Sequence, residues 1–384
     1  MTNPIYLDYA AATPLDDRVF LSMEPFYREK FYNPSALYIA AHYVRAAYEE
    51  ARHTLAQCIG AKQHEIIMTA GATESINIAV HGVIGHYGGS VAAAEIEHLA
   101  VLQAARTHAF QKIAVTEAGY ITAEAVEQAI TPDTTLVSIG YINNELGTVQ
   151  SLRDIGTVID RERQRRLKDG ESRPLYFHTD ASQAAGLLDC SVSRLGVDMM
   201  TLNAGKCYGP KQVGLLWVRG GIILDPLMRG GNQERSLRPG TENVAGAVGF
   251  ATALTIASEE RKVESHRLGT LRDRLEKRIA AEIPDVVING HRKRRSPHIL
   301  HISISGLDGE RAVFALDQAG VMAATGSACA ANSGERSHVL VAAGFDDALA
   351  DGSLRFSLGR PITEQQIDEA AKIIIDTIQR ERRL

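Results

Sequence analysis

Leu175-Tyr176-Phe177-His178-Thr179 runs directly into Asp180-Ala181-Ser182-Gln183. The first five residues read as a buried strand, and the next four put a carboxylate at its carboxyl end. Working outward, short apolar runs alternate with longer amphipathic ones from Glu65 to Arg219. Candidate strands are 65–69, 90–94, 112–115, 135–141, 174–179, 197–202 and 213–218. Candidate helices between them include 73–86, 98–107, 123–130 and 152–168. That alternation predicts an α/β fold with a mostly parallel, seven-stranded sheet covered on both faces. Ligands of such sheets sit at the carboxyl ends of the strands.

After Thr241 the pattern changes. A long helix is expected over 243–281, then strands at 298–305 and 353–358 and helices at 310–319, 336–343 and 364–380. This reads as a smaller α+β domain. The expected division is a large domain over 15–256, and a small one made of 1–14 and 257–384. A chain of 384 residues is long enough for two cores.

Composition excludes several classes. With 45% hydrophobic and 23% charged residues the chain is ordinary for a globular protein. A net charge of -5 makes no case for direct nucleic-acid binding, and the basic runs 161–168 and 291–295 read as solvated faces. No apolar stretch is long enough to cross a bilayer, and Met1-Thr2-Asn3-Pro4 does not begin a secretory signal, so a cytoplasmic location is expected. The four cysteines, Cys58, Cys190, Cys207 and Cys329, form no Cys-x-x-Cys pair. Neither a metal site nor a disulfide framework is expected.

Lys206 follows Met199-Met200-Thr201-Leu202, so it also stands just past a strand end. One strand–helix–strand unit would bring it beside Asp180. A lysine can form a Schiff base with an aldehyde cofactor, and an acid can keep a pyridine nitrogen protonated. The same spacing also fits an ordinary ion pair at a sheet edge. Gly71-Ala72-Thr73-Glu74-Ser75 opens a helix after a strand, where unpaired N–H groups suit an anion, although Thr73 is also a plain N-cap. His98 stands at another strand-to-helix transition, where on its own it reads better as a satisfied core or cap histidine than as a site residue. Asn143-Asn144-Glu145-Leu146-Gly147 is polar at a strand end, where side chains need partners.

Cys329 lies in Gly326-Ser327-Ala328-Cys329-Ala330-Ala331-Asn332-Ser333-Gly334, among small and polar neighbours only. An exposed, mobile loop is expected there, with its cysteine a nucleophile, whereas Cys58, Cys190 and Cys207 are expected to pack. Arg355 and Arg360 flank Phe356-Ser357-Leu358-Gly359, and one of them is a candidate for a substrate carboxylate.

Together these stretches resemble the cysteine desulfurase family, in class V of the pyridoxal-phosphate-dependent aminotransferase superfamily, fold type I. The likeness begins at Tyr6-Leu7-Asp8-Tyr9-Ala10-Ala11-Ala12-Thr13-Pro14 and ends at 355–360. It includes Glu97-His98, Tyr208-Gly209-Pro210 and Gly240-Thr241. The resemblance implies roles. Lys206 would hold pyridoxal 5'-phosphate and move protons. Asp180 would pair with the ring nitrogen, Gln183 and Asn144 would lie at the ring hydroxyl edge, and His98 would stack on the ring. Ala72 and Thr73 would bind phosphate, and Thr241 would reach the phosphate of the other subunit of a homodimer. Asn33 and Arg355 would hold the carboxylate of L-cysteine. Cys329 would take the sulfur as a persulfide and pass it to an acceptor protein, an iron–sulfur scaffold or a tRNA-thiolation enzyme. Selenocysteine lyase, another class-V activity and a non-catalytic scaffold of the same fold are the alternatives.

Two stretches depart from the family pattern. Asn203-Ala204-Gly205-Lys206 lacks the serine and histidine that normally touch phosphate. The Asn203 amide and the Gly205 backbone are the expected replacements. Tyr38 and Ile39 stand where the family commonly has a histidine. The sequence ends at Leu384, soon after its last helix, so the scaffold contact that longer members make through a C-terminal tail is not expected.

Overall fold

The computed structural model describes residues 4–326 and 336–383. Seven strands make the central sheet: β2 (Ile66–Thr69), β3 (Ser90–Ala94), β4 (Ala109–Ile113), β5 (Thr134–Ser138), β6 (Tyr176–Asp180), β7 (Met199–Asn203) and β8 (Gly214–Val218). Their order is β2-β8-β7-β6-β5-β3-β4, and only β8 runs antiparallel to its neighbours. Adjacent residues of a strand face opposite sides of a sheet. So Val137, Met200 and Leu215 enter one core, and Leu136, Met199 and Leu216 another on the far face.

A third core lies apart from the sheet. It packs Ile5 and Leu7 with Leu300, Ile302, Leu354 and Phe356 and with Ile367 and Ile374 of the helix Glu364–Glu381. Its strands are β1 (Ile5–Tyr6), β9 (Val287–Ile288), β10 (Ile299–Ser303), β11 (Val321–Met322) and β12 (Ser353–Ser357). The helix Val244–Glu282 joins the two regions, giving Phe250 and Leu254 to the first core and Leu271 and Leu275 to the third.

Among the elements that differ from the sequence reading, two show why. The expected strand at 112–115 lies earlier, as β4. β4 is an edge strand paired only with β3, and its residues 109–112 are partly exposed, so it lacks the apolar run that marks a buried strand. The reading also assigned no helix to Ile39–Ile59. Val44, Tyr48, Ala51 and Leu55 form its buried stripe, but Ile39 and Tyr43 are exposed and blur the pattern.

Candidate functional site

A cavity of about 230 Å³ opens at the carboxyl ends of β3, β5, β6 and β7. Ala72, Thr73, His98, Asn144, Asp180, Gln183, Asn203, Lys206 and Arg355 all line it. Nine residues from six separate stretches therefore converge. Gly205 does not line the cavity, because its N–H donates to Asn203 Oδ1 at 3.1 Å. Asn33 and Thr241 are exposed and stand off the cavity. Cys329 lies outside the described residues.

Asp180 is the last residue of β6, and its Oδ1 accepts from the Ser182 N–H at 2.9 Å, which fixes the carboxylate at the strand end. β7 ends at Asn203 and a tight turn, Ala204–Lys206, delivers the lysine. Lys206 Nζ donates to the carbonyls of Ala10 and Ala11 at 2.7 and 2.8 Å. Gln183 Nε2 donates to the same Ala10 carbonyl at 2.9 Å. The early Ala10-Ala11 turn thus closes one side of the cavity.

His98 is both cap and lining residue. Its Nδ1 accepts from the Ala100 N–H at 3.1 Å and starts the helix Leu99–Arg106. Burial lowers its tendency to protonate, against the pull of Asp180. A neutral ring whose Nδ1 accepts carries its proton on Nε2. Glu97, beside it, is buried and accepts from the Gly140 N–H at 2.9 Å. Burial pushes its carboxyl up to about 8, helped by nearby Asp180. Beneath Asp180, His178 bridges Ser138 and Thr201 at 2.9 Å each, and burial holds it down to about 4.

At the far end, the helix Ala72–Tyr87 begins at Gly71, whose φ is 135°. A Cβ on Gly214 of β8 would come within 2.7 Å of the Gly71 Cα, so only glycine lets the helix start lie this close to the sheet. Asn203 gives its oxygen to Gly205, which leaves its Nδ2 to donate. Helix N–H groups, the Thr73 hydroxyl and the Asn203 amide then form a cup of neutral donors. Arg355, fully buried on β12, pairs with Asp8 at 2.8 Å and donates to the Asn144 carbonyl at 2.9 Å. Its Nε is buried with no hydrogen-bond partner among the described residues.

The other cysteines are unsuited to chemistry. Cys190 and Cys207 are buried and their thiols are pushed up to about 12. Cys58 is shifted the same way by burial. Sequence reasoning quoted Glu97, Glu145 and Asp8 within motifs but gave them no role. Asp8 finds Arg355 across 347 positions of chain, a pairing no local pattern contains.

The aminotransferase class-V model matches residues 5–369. Among curated proteins, "Cysteine desulfurase IscS" of Dictyoglomus turgidum is 38% identical over 392 residues, covering 100% of this chain and 96% of that one. "Cysteine desulfurase" of Rattus norvegicus is 37% identical over 393 residues, covering 100% of this chain and 84% of that one. A solved NifS-like protein superposes with a TM-score of 0.89 at 32% identity, covering 98% and 99% of the two chains. A structure titled "SspA in complex with cysteine" superposes at 0.79 with 33% identity, covering 92% and 98%.

Proposed function

This chain belongs to the class-V aminotransferase family, and we propose that it is a cysteine desulfurase, using pyridoxal 5'-phosphate to move sulfur from L-cysteine to Cys329. The observation that carries the reading is the convergence of Lys206, Asp180 and His98 with a cup of anion donors in one cavity.

The residues fit that cofactor. A primary amine, an acid at the neighbouring strand end, a neutral imidazole and a set of anion donors are what it requires. Lys206 would hold its aldehyde, Asp180 its ring nitrogen, and Ala72, Thr73 and Asn203 its phosphate. Gln183 and Asn144 belong to the ring hydroxyl edge. Bound there, the ring supplies an electron sink for the substrate carbon.

The chain's own groups do the rest. The Ala10 and Ala11 carbonyls hold Lys206 Nζ where it can exchange a proton with the cavity. His98, neutral with its proton on Nε2, can donate into the cavity. Arg355 would meet the substrate carboxylate, with Asp8 and Asn144 fixing its terminal nitrogens. Asn33 is assigned to the same carboxylate. The Cys329 thiolate then attacks the substrate sulfur. A sulfur–sulfur bond forms and the carbon–sulfur bond breaks. Its electron pair stays on the alanyl carbon, takes a proton and leaves as alanine.

A homodimer completes the reading. Thr241 is exposed and off this chain's own cavity, as a residue serving the other subunit's phosphate would be. No helix among the described residues is long and apolar enough to cross a membrane. A cytoplasmic setting, where free thiols persist, suits the chemistry. The sulfur passes on to an acceptor protein for iron–sulfur assembly or tRNA thiolation.

The purified protein is expected to be yellow, to bleach with borohydride through a bond to Lys206, and to convert cysteine to alanine. Pyruvate as the product, or a colourless protein that takes up no pyridoxal phosphate, overturns the proposal.

A further inference from the structure

The Asn143–Gly147 turn carries a carboxylate that the reaction above does not use. Asn143 Oδ1 accepts from the N–H groups of Glu145 and Leu146 at 3.0 and 2.8 Å, and its Nδ2 donates to the Ile96 carbonyl at 2.8 Å. The turn is therefore tied at three points, and the direction of the Glu145 side chain is set. Glu145 is fully buried, at 0% exposure. Its Oε2 accepts from Ser337 Oγ at 2.5 Å, and its Oε1 is buried with no hydrogen-bond partner among the described residues. A Cβ placed on Gly326 would come within 2.8 Å of the same Oε2.

Gly326 and Ser337 stand on the two sides of the stretch that contains Cys329. One buried carboxylate therefore bonds the second side and lies where any side chain at Gly326 would meet it on the first. The second side has another tie, because His338 Nε2 lies 2.9 Å from the Glu97 carbonyl, next to His98. Ser337 also caps the helix His338–Ala342, accepting from the Leu340 N–H at 3.3 Å, so its hydroxyl both donates and accepts. On its other flank Glu145 feels Arg355, the cation at the substrate end of the cavity. A buried carboxylate with an unpaired oxygen costs stability, and a packed apolar residue would avoid that cost. Its position invites a role in the reaction.

We propose that Glu145 is a positioning residue for sulfur transfer, bonding Ser337 and packing where Gly326 leaves room for it, so that it sets the two sides of the stretch containing Cys329 beside the Arg355 end of the cavity. It touches neither substrate nor cofactor. It acts through the geometry of the nucleophile, where a displacement of about 1 Å can cost on the order of a hundredfold. The inference rests on the desulfurase reading, with Cys329 as the sulfur acceptor.

The test uses the cofactor-loaded protein and measures two things in one mixing experiment. One is the change in cofactor absorbance on adding L-cysteine, which reports substrate binding. The other is the rate at which Cys329 gains a persulfide, followed by alkylation and mass spectrometry. Glu145→Ala is expected to bind cysteine within about threefold of wild type and to persulfidate Cys329 about tenfold or more slowly. Glu145→Gln keeps an acceptor for Ser337 Oγ and is expected to restore the rate to within about threefold. Ser337→Ala and Gly326→Ala disturb the same arrangement from each side and are expected to slow the same step, which keeps the idea testable if Glu145→Ala does not fold. Wild-type persulfidation in Glu145→Ala or in both flanking variants overturns the proposal. So does an equal loss in binding and transfer, which is the signature of a merely structural residue. If Cys329→Ser leaves alanine formation unchanged, Cys329 is not the sulfur acceptor, and the inference falls with that part of the reading; pyruvate in place of alanine would mean that the desulfurase reading itself has failed.

Discussion

Glu97 is buried next to Asp180 and His98, and its charge state follows from its surroundings. Its carboxyl stands at about 8 in the fold against an ordinary value of 4.5. Between those values the folded protein holds a proton that the unfolded chain has released. Stability therefore falls as pH rises across that window and is unaffected below it. Glu97→Gln keeps an oxygen for the Gly140 N–H and cannot ionise. Relative to wild type it is expected to gain on the order of 1–3 kcal/mol between pH 5 and pH 9, measured by denaturant unfolding at each pH. A difference between the two proteins that stays constant over that range would refute the neutral Glu97. At this scale the sequence was informative wherever strand ends could be located. Asp180, Lys206 and His98 each stand just past an apolar run, and the period of that run places them. Gly205 has its N–H on Asn203 Oδ1, a local contact that composition does not announce.

Elements are held by contacts the pattern of a single segment cannot contain. Glu234, Arg235 and Ser236 are consecutive residues with φ of 45°, 57° and 62°, a backbone that side-chain-bearing residues seldom adopt. What keeps them there is the Glu234 carboxylate. It accepts from both terminal nitrogens of Arg52 at 2.7 and 2.5 Å, from Tyr48 Oη at 2.8 Å and from the Met68 N–H at 2.6 Å. Just beyond, Arg238 pairs with Glu74 at 3.0 Å, in the first turn of the helix Ala72–Tyr87 that forms the anion cup. Removing one member of such a buried ion pair leaves the other uncompensated. Glu234→Ala is expected to cost about 3–5 kcal/mol in urea unfolding. A loss below about 1 kcal/mol would show that the strained turn is held by something else. The same logic explains the shifted β4 and the unassigned helix Ile39–Ile59. Both carry exposed apolar or half-buried positions that only their place in the fold explains.

For the whole molecule, the alternation of strands and helices from Glu65 to Arg219 was enough to anticipate a mostly parallel sheet with its site at the strand ends. A period of two against a period of 3.6 is readable without partners. The single antiparallel strand β8 and the order β2-β8-β7-β6-β5-β3-β4 were not readable, because order is decided by packing between distant segments. The Ala10-Ala11 turn shows the same limit. It lies far from Lys206 in sequence, yet its carbonyls hold the amine. The long helix Val244–Glu282 joins the sheet cores to the core that includes Arg355's strand β12. The cavity is thus built from both regions at once, with Lys206 supplied by one and Arg355 by the other. The central claim is that this cavity loosens the sulfur of cysteine and that Cys329 takes it. The direct measurement is the intact mass of the cofactor-loaded protein after one turnover with L-cysteine, with alanine quantified in the same sample. Wild type is expected to gain the mass of one sulfur atom at Cys329 for each alanine formed, and Cys329→Ser to keep its cofactor, gain no sulfur and form almost no alanine. Equal alanine from the two proteins would contradict it.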